Sequence, residues 1–328
     1  MDTDTLAETL PAGLTPEDLK AGGIIPQRQN DKVVIRCMAP GGRITAARLH
    51  KIAEVAEKYG SGEVHLSVRM SPEILYVSLQ DYPLVKEELA KVGQEIASCG
   101  KRVRVPTACG GCEYNPNGLV DTQGLALEFN RRYFGQDHYH KFKTAFSGCP
   151  IDCTRARESD LGFQGQVEPE LVAEACSGCE LCAEICPERA LTMVAGLPVR
   201  DVERCLLCGD CLKICPNDAL VAGRTGVAVY VGGKHGRHPH VAYPVAELVP
   251  EGEIFPVAEA VMAWYRENGR PGERIGLTVD RVGIDRLRRV LKPLIGPHLL
   301  QQHHIRRQRW RSVFWAGAAD AFPHYGEV

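Results

Sequence analysis

Cys176-Ser177-Gly178-Cys179-Glu180-Leu181-Cys182-Ala183-Glu184-Ile185-Cys186-Pro187 reads C-x2-C-x2-C-x3-C-P, and Cys205-Leu206-Leu207-Cys208-Gly209-Asp210-Cys211-Leu212-Lys213-Ile214-Cys215-Pro216 repeats that spacing 29 residues later. Two-residue gaps let three thiolates of one loop wrap one face of an iron–sulfur cubane. The fourth cysteine, carried off by the following turn, reaches the other cluster. By that rule Cys176, Cys179, Cys182 and Cys215 hold one [4Fe–4S] cluster, and Cys205, Cys208, Cys211 and Cys186 hold the second. Zinc is the competing reading, but zinc usually takes its ligands as two separated pairs, and a run of four with a trailing proline suits it poorly. The segment reads as a bacterial-type two-cluster ferredoxin domain at 167–221. It has little apolar core, so the clusters are required for it to fold. Its chemistry is one-electron transfer, which by itself names no substrate.

The surrounding chain sets limits on that reading. With 328 residues there is room for two or three domains, and 44% hydrophobic with 24% charged residues is ordinary for a globular protein. A formal net charge of -2 gives no general attraction to nucleic acid or anionic membrane. The start, Met1-Asp2-Thr3-Asp4-Thr5-Leu6, has neither the basic nor the apolar region of a secretory signal, and no apolar run approaches the ~20 residues that span a bilayer. A cytoplasmic protein without membrane insertion is therefore expected. The chain has fourteen cysteines, eight within the quoted segment, four in two close pairs, and only Cys37 and Cys99 alone. Such clustering points to metal ligation rather than to disulfides.

Outward from the insert, the pattern is α+β. Residues 1–30 are polar and rich in Gly and Pro and read as an arm. Val33-Val34-Ile35 begins a strand, Gly41-Gly42 makes a turn, and Thr45 N-caps a helix whose Leu49, Ile52, Val55, Ala56 and Tyr59 share one face until Gly60 stops it. Strands at 64–68 and 74–78 and a helix over 82–97, with Leu84, Val85, Leu89, Val92 and Ile96 on one face, complete about half of a ferredoxin-like unit at 31–100. A second region, 101–166, contains a helix over 121–133 and resumes after the insert at 222–296, with a strand at 227–231 and a helix over 257–268. The tail, 297–328, includes His304-Ile305-Arg306-Arg307-Gln308-Arg309-Trp310-Arg311, a basic stretch that reads as a solvated tail or a subunit contact.

Two further cysteine pairs lie in the second region: Cys109 with Cys112, and Cys149 with Cys153. Together they could hold zinc or a third cubane. Lys141 and Lys143 precede the second pair on the same side of an apparent strand, Arg36 lies on the first strand, and Arg69 ends the second. Any one of these cations is ordinary on a surface; four beside metal-ligating loops suggest an anion pocket. His138 and His140 could relay protons but read better as surface histidines of a polar loop, and Cys37 reads as a core thiol. Gly232-Gly233-Lys234-His235-Gly236 lacks the full phosphate-loop pattern and reads as a turn. No dinucleotide fingerprint is present.

The stretch from Lys141-Phe142-Lys143-Thr144-Ala145-Phe146-Ser147-Gly148-Cys149-Pro150-Ile151-Asp152-Cys153 to Glu158-Ser159-Asp160-Leu161-Gly162 resembles the siroheme-and-[4Fe–4S] segment of sulfite and nitrite reductases. So do Ile35-Arg36-Cys37-Met38-Ala39-Pro40-Gly41-Gly42, Gly118-Leu119-Val120-Asp121-Thr122-Gln123, Gly232–Pro239 and Gly272-Glu273-Arg274-Ile275-Gly276. The resemblance covers roughly residues 30–295. With its ferredoxin insert it is similar to dissimilatory sulfite reductase subunits and to the siroheme subunit of anaerobic sulfite reductase. It implies a ferredoxin-like half-domain joined to an α/β siroheme-type domain, interrupted by the two-cluster insert.

In that family C-x5-C and C-x3-C bind the cubane, and the last cysteine bridges it to the siroheme iron. The resemblance makes Cys149 and Cys153 the second pair, Cys153 the bridge and Cys109 the first ligand. The position expected to hold the remaining cysteine is Asn115, and the extra thiol is Cys112. Either Cys112 substitutes through a shorter loop, or the cubane is held differently, or the siroheme site has been lost. The resemblance also assigns Arg36, Arg69, Lys141 and Lys143 to the catalytic pocket, with Arg36 and Arg69 gripping siroheme carboxylates or substrate oxyanion bidentately and the lysines supplying charge and protons. Siroheme and three [4Fe–4S] clusters are the implied cofactors, and six-electron reduction of sulfite to sulfide the implied activity. A cluster-only electron carrier and a nitrite reductase are the alternatives. The partners implied are sulfite or a similar small oxyanion, an electron-donor protein or subunit, and a second copy or paralogous subunit.

Overall fold

The computed structural model describes residue 19 and residues 22–300. It divides into two compact units. The first takes in the described residues up to 109 together with 122–144 and 270–274; the second takes in 110–121, 145–269 and 275–300.

The first unit is built on an antiparallel sheet in the order β1-β2-β4-β3, from β1 (Ile24–Pro26), β2 (Lys32–Arg36), β3 (Val64–Leu66) and β4 (Pro72–Ser78). β2 alternates, burying Val33 and Ile35 while its neighbours are half-exposed. Helices α1 (Ala46–Tyr59) and α2 (Tyr82–Ala90) contribute Ile52, Val55, Ala56, Val85 and Leu89 to one core with Val33, Ile35, Ile74 and Val77. The Thr45 side chain accepts the Arg48 N–H, as an N-cap should. Gly60 ends α1 because a Cβ there would lie 2.5 Å from the Leu75 carbonyl oxygen.

Four expectations need correcting here. Residues 24–26, read as part of an arm, pair in register with β2, Ile24 opposite Ile35, and Leu19 and Ile24 are buried in the core. β3 stops at Leu66, so Arg69 sits in the following turn, where Met70 N–H bonds the Ser67 carbonyl at 2.8 Å. α2 stops at Ala90 rather than 97, because the chain turns through Gly93 at φ 66, and Ile96 instead bridges Cys37. Leu84, expected on the buried face, is 49% exposed.

In the second unit β7 (Leu161–Leu171) and β10 (Leu220–Val231) form a long antiparallel ladder from Leu161 opposite Val231 to Leu171 opposite Leu220. The strand order continues to β11 (Tyr243–Val249) on one side and β6 (Thr144–Ser147) on the other. Phe146 and Phe163 stack at 5.2 Å between neighbouring strands. α7 (Ile254–Asn268), α8 (Ile275–Val282) and α9 (Ile284–Ile295) cover the unit, and α9 buries Leu287, Leu291 and Ile295 at one helical face. Gly232 and Gly276 belong to the two glycine-rich segments. A Cβ on Gly276 would meet the Gly232 carbonyl oxygen at 2.2 Å, so these backbones pack directly.

The insert's expected limits, 167 and 221, fall inside β7 and β10, whose far ends form a two-stranded stalk with its register shift between Ala222 and Thr225. On the stalk sit two short helices, α5 (Leu181–Glu184) and α6 (Asp210–Ile214), and a hairpin of β8 (Leu191–Val194) and β9 (Leu197–Arg200). The hairpin turns on Ala195 and Gly196, both with positive φ, as a tight two-residue connection requires. Residues past 296 begin as paired chain, not as a free tail: Leu300 N–H bonds the Val245 carbonyl at 3.0 Å. The basic stretch 304–311 lies outside the described residues. No helix among the described residues is long and apolar enough to cross a membrane.

Candidate functional site: a cationic cavity and the cysteine loops

In the first unit Arg36, Arg69, Lys141 and Lys143, widely separated in sequence, line one cavity of about 490 Å³. Arg36 closes β2 directly opposite Glu73 of β4. Its Nε donates to Glu73 Oε1 at 2.6 Å, and its Nη1 points to the Cys99 thiol at 3.6 Å. The other Glu73 oxygen meets His65 Nδ1 at 2.8 Å. Arg69 lacks such company: both its terminal nitrogens are buried with no hydrogen-bond partner among the described residues. Burial, then repulsion from Arg36 and Arg104, pulls its pKa down to about 10.

Phe142 is buried, and its N–H and C=O pair with Arg102 and Arg104. That leaves Lys141 and Lys143, its neighbours in extended chain, on the same side. They are not within a strand as expected, since β6 begins at Thr144.

Three lining residues went unrecognised in the sequence. Arg104 is buried and donates to the carbonyls of Ser98 and Gly100 at 2.9 and 2.6 Å. Lys101 and Cys99 complete that wall. The expectation of surface histidines is also wrong. His138 is buried and stacks on Phe142 at 5.2 Å, while His140 lines the cavity. Burial, then the charges of Arg274, Lys141, Arg104 and Lys101, lowers the His140 pKa to about 4. Its Nδ1 accepts the Lys141 N–H at 2.8 Å, as a neutral ring can. Cys37 is the core thiol anticipated, fully buried with its pKa pushed up to about 12 by burial and by Glu73.

In the second unit the loop of Cys149 and Cys153 is organised by Asp152, which adopts φ 59. Its carboxylate accepts Ser147 Oγ at 2.8 Å and the N–H groups of Ala156 at 2.7 Å and Arg157 at 3.3 Å. Cys149 is buried and Cys153 exposed. Cys112 lies exposed in the short α3 (Gly111–Tyr114). One hydrogen bond closes its own segment, Cys112 N–H to the Val120 carbonyl at 3.0 Å, and another ties that segment to the Cys149 loop, Leu119 N–H to the Gly148 carbonyl at 2.8 Å. Asn115 serves the turn instead, its Oδ1 accepting the Asn117 N–H at 3.0 Å. Cys109, which follows the two-residue strand β5 (Thr107–Ala108), belongs to the first unit, where Thr122 Oγ1 and Gln123 Nε2 of α4 (Thr122–Tyr133) donate to its carbonyl at 2.7 and 2.9 Å.

The insert carries the 29-residue repeat in its backbone. Gly178, Glu180 and Arg189 have φ of 70, 66 and 49; Leu207, Gly209 and Asp218, each 29 residues later, have 60, 77 and 49. Left-handed residues alternating with right-handed ones turn successive N–H groups inward and make concavities suited to an anionic cluster. The trailing cysteines match as well: Ala190 N–H points at Cys186 Sγ at 3.3 Å, and Ala219 N–H at Cys215 Sγ at 3.2 Å. Cys176, Cys179, Cys182 and Cys215 line one cavity. No three His, Cys, Asp or Glu side chains among the described residues are gathered to ligate a single metal ion.

The model of the nitrite and sulphite reductase 4Fe-4S domain matches residues 99–297, and that of the nitrite/sulfite reductase ferredoxin-like half domain matches 25–92. The chain belongs to the nitrite and sulfite reductase family. It is 33% identical over 276 residues to the coenzyme F420-dependent sulfite reductase of Methanocaldococcus jannaschii, covering 83% of this chain but only 44% of that protein. It is 31% identical to an uncharacterized protein of the same organism, covering 85% of this chain and 96% of that one. A crystal structure of dissimilatory sulfite reductase I superposes with a TM-score of 0.69 at 20% identity, covering 90% of this chain and 78% of that one, which shows a shared fold. The 4Fe-4S domain match makes the chain an iron–sulfur member of that family, and it spans less than half the length of the F420-dependent relative.

Proposed function

We propose that this chain is the sulfite-reducing, siroheme-carrying component of a larger reductase. The observation that carries this reading is the cavity around Arg69. Three guanidiniums and three lysines line it, and Glu73 already engages Arg36. Two buried, unpartnered Arg69 nitrogens leave that balance short of an anion. Arg36 and Arg69 would hold siroheme carboxylates or the substrate oxyanion. Lys141 and Lys143 would hold the oxyanion and deliver protons to departing oxygens. Arg104 would add charge from the cavity wall. When bound, siroheme would supply the iron centre for a six-electron reduction of that oxyanion.

In the second unit Cys112, Cys149 and Cys153 would ligate a cubane; Cys109 is a candidate for the remaining ligand on the resemblance alone. Asn115, spent on its turn, favours Cys112 as the substitute. The insert would hold two further cubanes through the cysteine sets given by its spacing, and its left-handed nests and N–H···S contacts fit them. A donor protein or subunit would feed that insert. Nitrite, also a small oxyanion and named with sulfite in the matched family, is the second candidate substrate.

Anaerobic purification with pigment extraction tests this. About one siroheme and about twelve cubane iron atoms per chain are expected. Eight iron atoms and no pigment, from cells able to make siroheme, would leave a two-cluster electron carrier. In the loaded protein, Lys143→Ala should cut sulfite turnover by about 10²-fold with all iron retained. Turnover of sulfite and nitrite by the same preparation decides between the two anions.

A further inference from the structure

The insert's two cysteine loops are near-copies of each other, yet among the described residues only one is fastened to the rest of the second unit. Leu207, between Cys205 and Cys208, accepts the Val167 N–H through its carbonyl at 2.9 Å. Gly209 lies so close to the body that a Cβ would sit 2.6 Å from Val167 Cγ1 and 3.9 Å from Leu119 Cδ2. Two residues past Cys211, Lys213 Nζ donates to Asn117 Oδ1 at 2.7 Å. Asn117 and Leu119 belong to the segment that carries Cys112 and bonds Gly148 beside Cys149. Cys205 also shares a small cavity with Arg157, whose N–H bonds the Asp152 carboxylate that orders the Cys149–Cys153 loop.

The other loop has no such anchorage among the described residues. Ser177 Oγ receives Asn217 Nδ2 at 2.8 Å, and Gly178 approaches Gly196; both partners belong to the insert. Cys179 is exposed.

We propose that Leu207, Gly209 and Lys213 form a seat that makes the Cys205–Cys211 loop the inner loop of the insert, and that the Cys176–Cys182 loop is the outer one. The proposal rests on the reading above and adds an order to it. Reducing equivalents from a one-electron donor protein arrive at the outer loop and leave from the inner one toward the Cys112 and Cys149 loops. Each transfer oxidises one centre and reduces the next by one electron, with no bond made or broken. Lys213 and Asn117 are positioning residues in this scheme, not ligands.

Low-temperature EPR on the full-length, fully loaded protein reduced with dithionite reads the order directly, because a nearby reduced cluster accelerates the spin relaxation of the cubane beside Cys149. Cys208→Ser should remove that enhancement, and Cys179→Ser should leave it. The reverse pattern, or equal loss in both, overturns the assignment. Hydrogen exchange on the same chain tests the seat without reference to catalysis. Gly209→Val should speed exchange of the Val167 amide about tenfold or more, with the β8–β9 amides unchanged. Lys213→Ala, which leaves the backbone alone, should act in the same direction more weakly. Unaltered Val167 exchange in both would dismiss the seat. A wild-type chain with eight iron atoms and no pigment would instead bring down the parent reading, and the order with it.

Discussion

The half-domain of the first unit and the cysteine-rich insert solve the same folding problem by different means. The half-domain closes one continuous apolar core: α1 and α2 lay Ile52, Val55, Val85 and Leu89 on the sheet, and each such side chain is worth roughly 1.5–3 kcal/mol when fully buried. The insert's own apolar cluster is small, with Cys182, Leu191 and Leu220 buried and Cys211 and Cys215 packed against them. Its helices are four and five residues long, far below what holds a helix by itself. On the proposed reading, what the half-domain obtains from hydrocarbon the insert would obtain from inorganic cross-links, so stability would be indifferent to iron in the first and conditional on it in the second.

Iron removal should give the largest effect and break this comparison if it is wrong. After chelation the β8–β9 hairpin amides should lose nearly all protection from exchange, while β2 and β4 keep theirs. Equal losses, or none, would mean the two regions are stabilised alike.

Arg36→Ala probes a largely buried ionic dependence inside the hydrocarbon-held region. Glu73, 6% exposed, would keep only His65, and a cost of about 3 kcal/mol in chemical denaturation is expected. Arg36→Met with Glu73→Leu should recover most of it, since the penalty is that of a stranded carboxylate. A smaller change, about 1 kcal/mol, should follow Thr45→Ala through loss of the α1 cap, with the insert's exchange pattern untouched.

The finest distinction concerns pH. His140 titrates near 6.5 in the unfolded chain and about 4 in the fold, so between those values the unfolded state binds the extra proton. Stability should fall as pH drops from about 6.5 to about 4. His140→Gln should flatten that part of the curve, read as the urea midpoint at pH 7 and pH 4.5. An identical pH response in the variant would acquit His140.

Local signals in the sequence translated well into structure, and non-local ones did not. Thr45 and Gly60 bracket α1 because capping and a close backbone approach are properties of a few adjacent residues. The cysteine spacings are likewise local, and their 29-residue echo reappears as paired left-handed residues. β1 was hidden because Gly22, Gly23 and Pro26 look like loop, and only pairing with β2, across a turn, makes a strand of Ile24. Of the cavity, Arg36, Arg69, Lys141 and Lys143 were legible through resemblance. Glu73 and Arg104 were not, since nothing near them in the chain announces that the sheet register sets Glu73 opposite Arg36. His138 read as polar surface because its burial depends on a stack with Phe142, four residues on.

The stalk beneath the insert bears on how such a chain is gained or lost over generations. Val167 and Thr225 face each other in register, and from there the ladder runs unbroken through Gln166 opposite Gly226 to Leu161 opposite Val231. A short turn joining 167 to 225 would leave an ordinary hairpin and the same strand order. The whole module can thus be acquired or shed at one point in the gene while the sheet that received it keeps its connectivity.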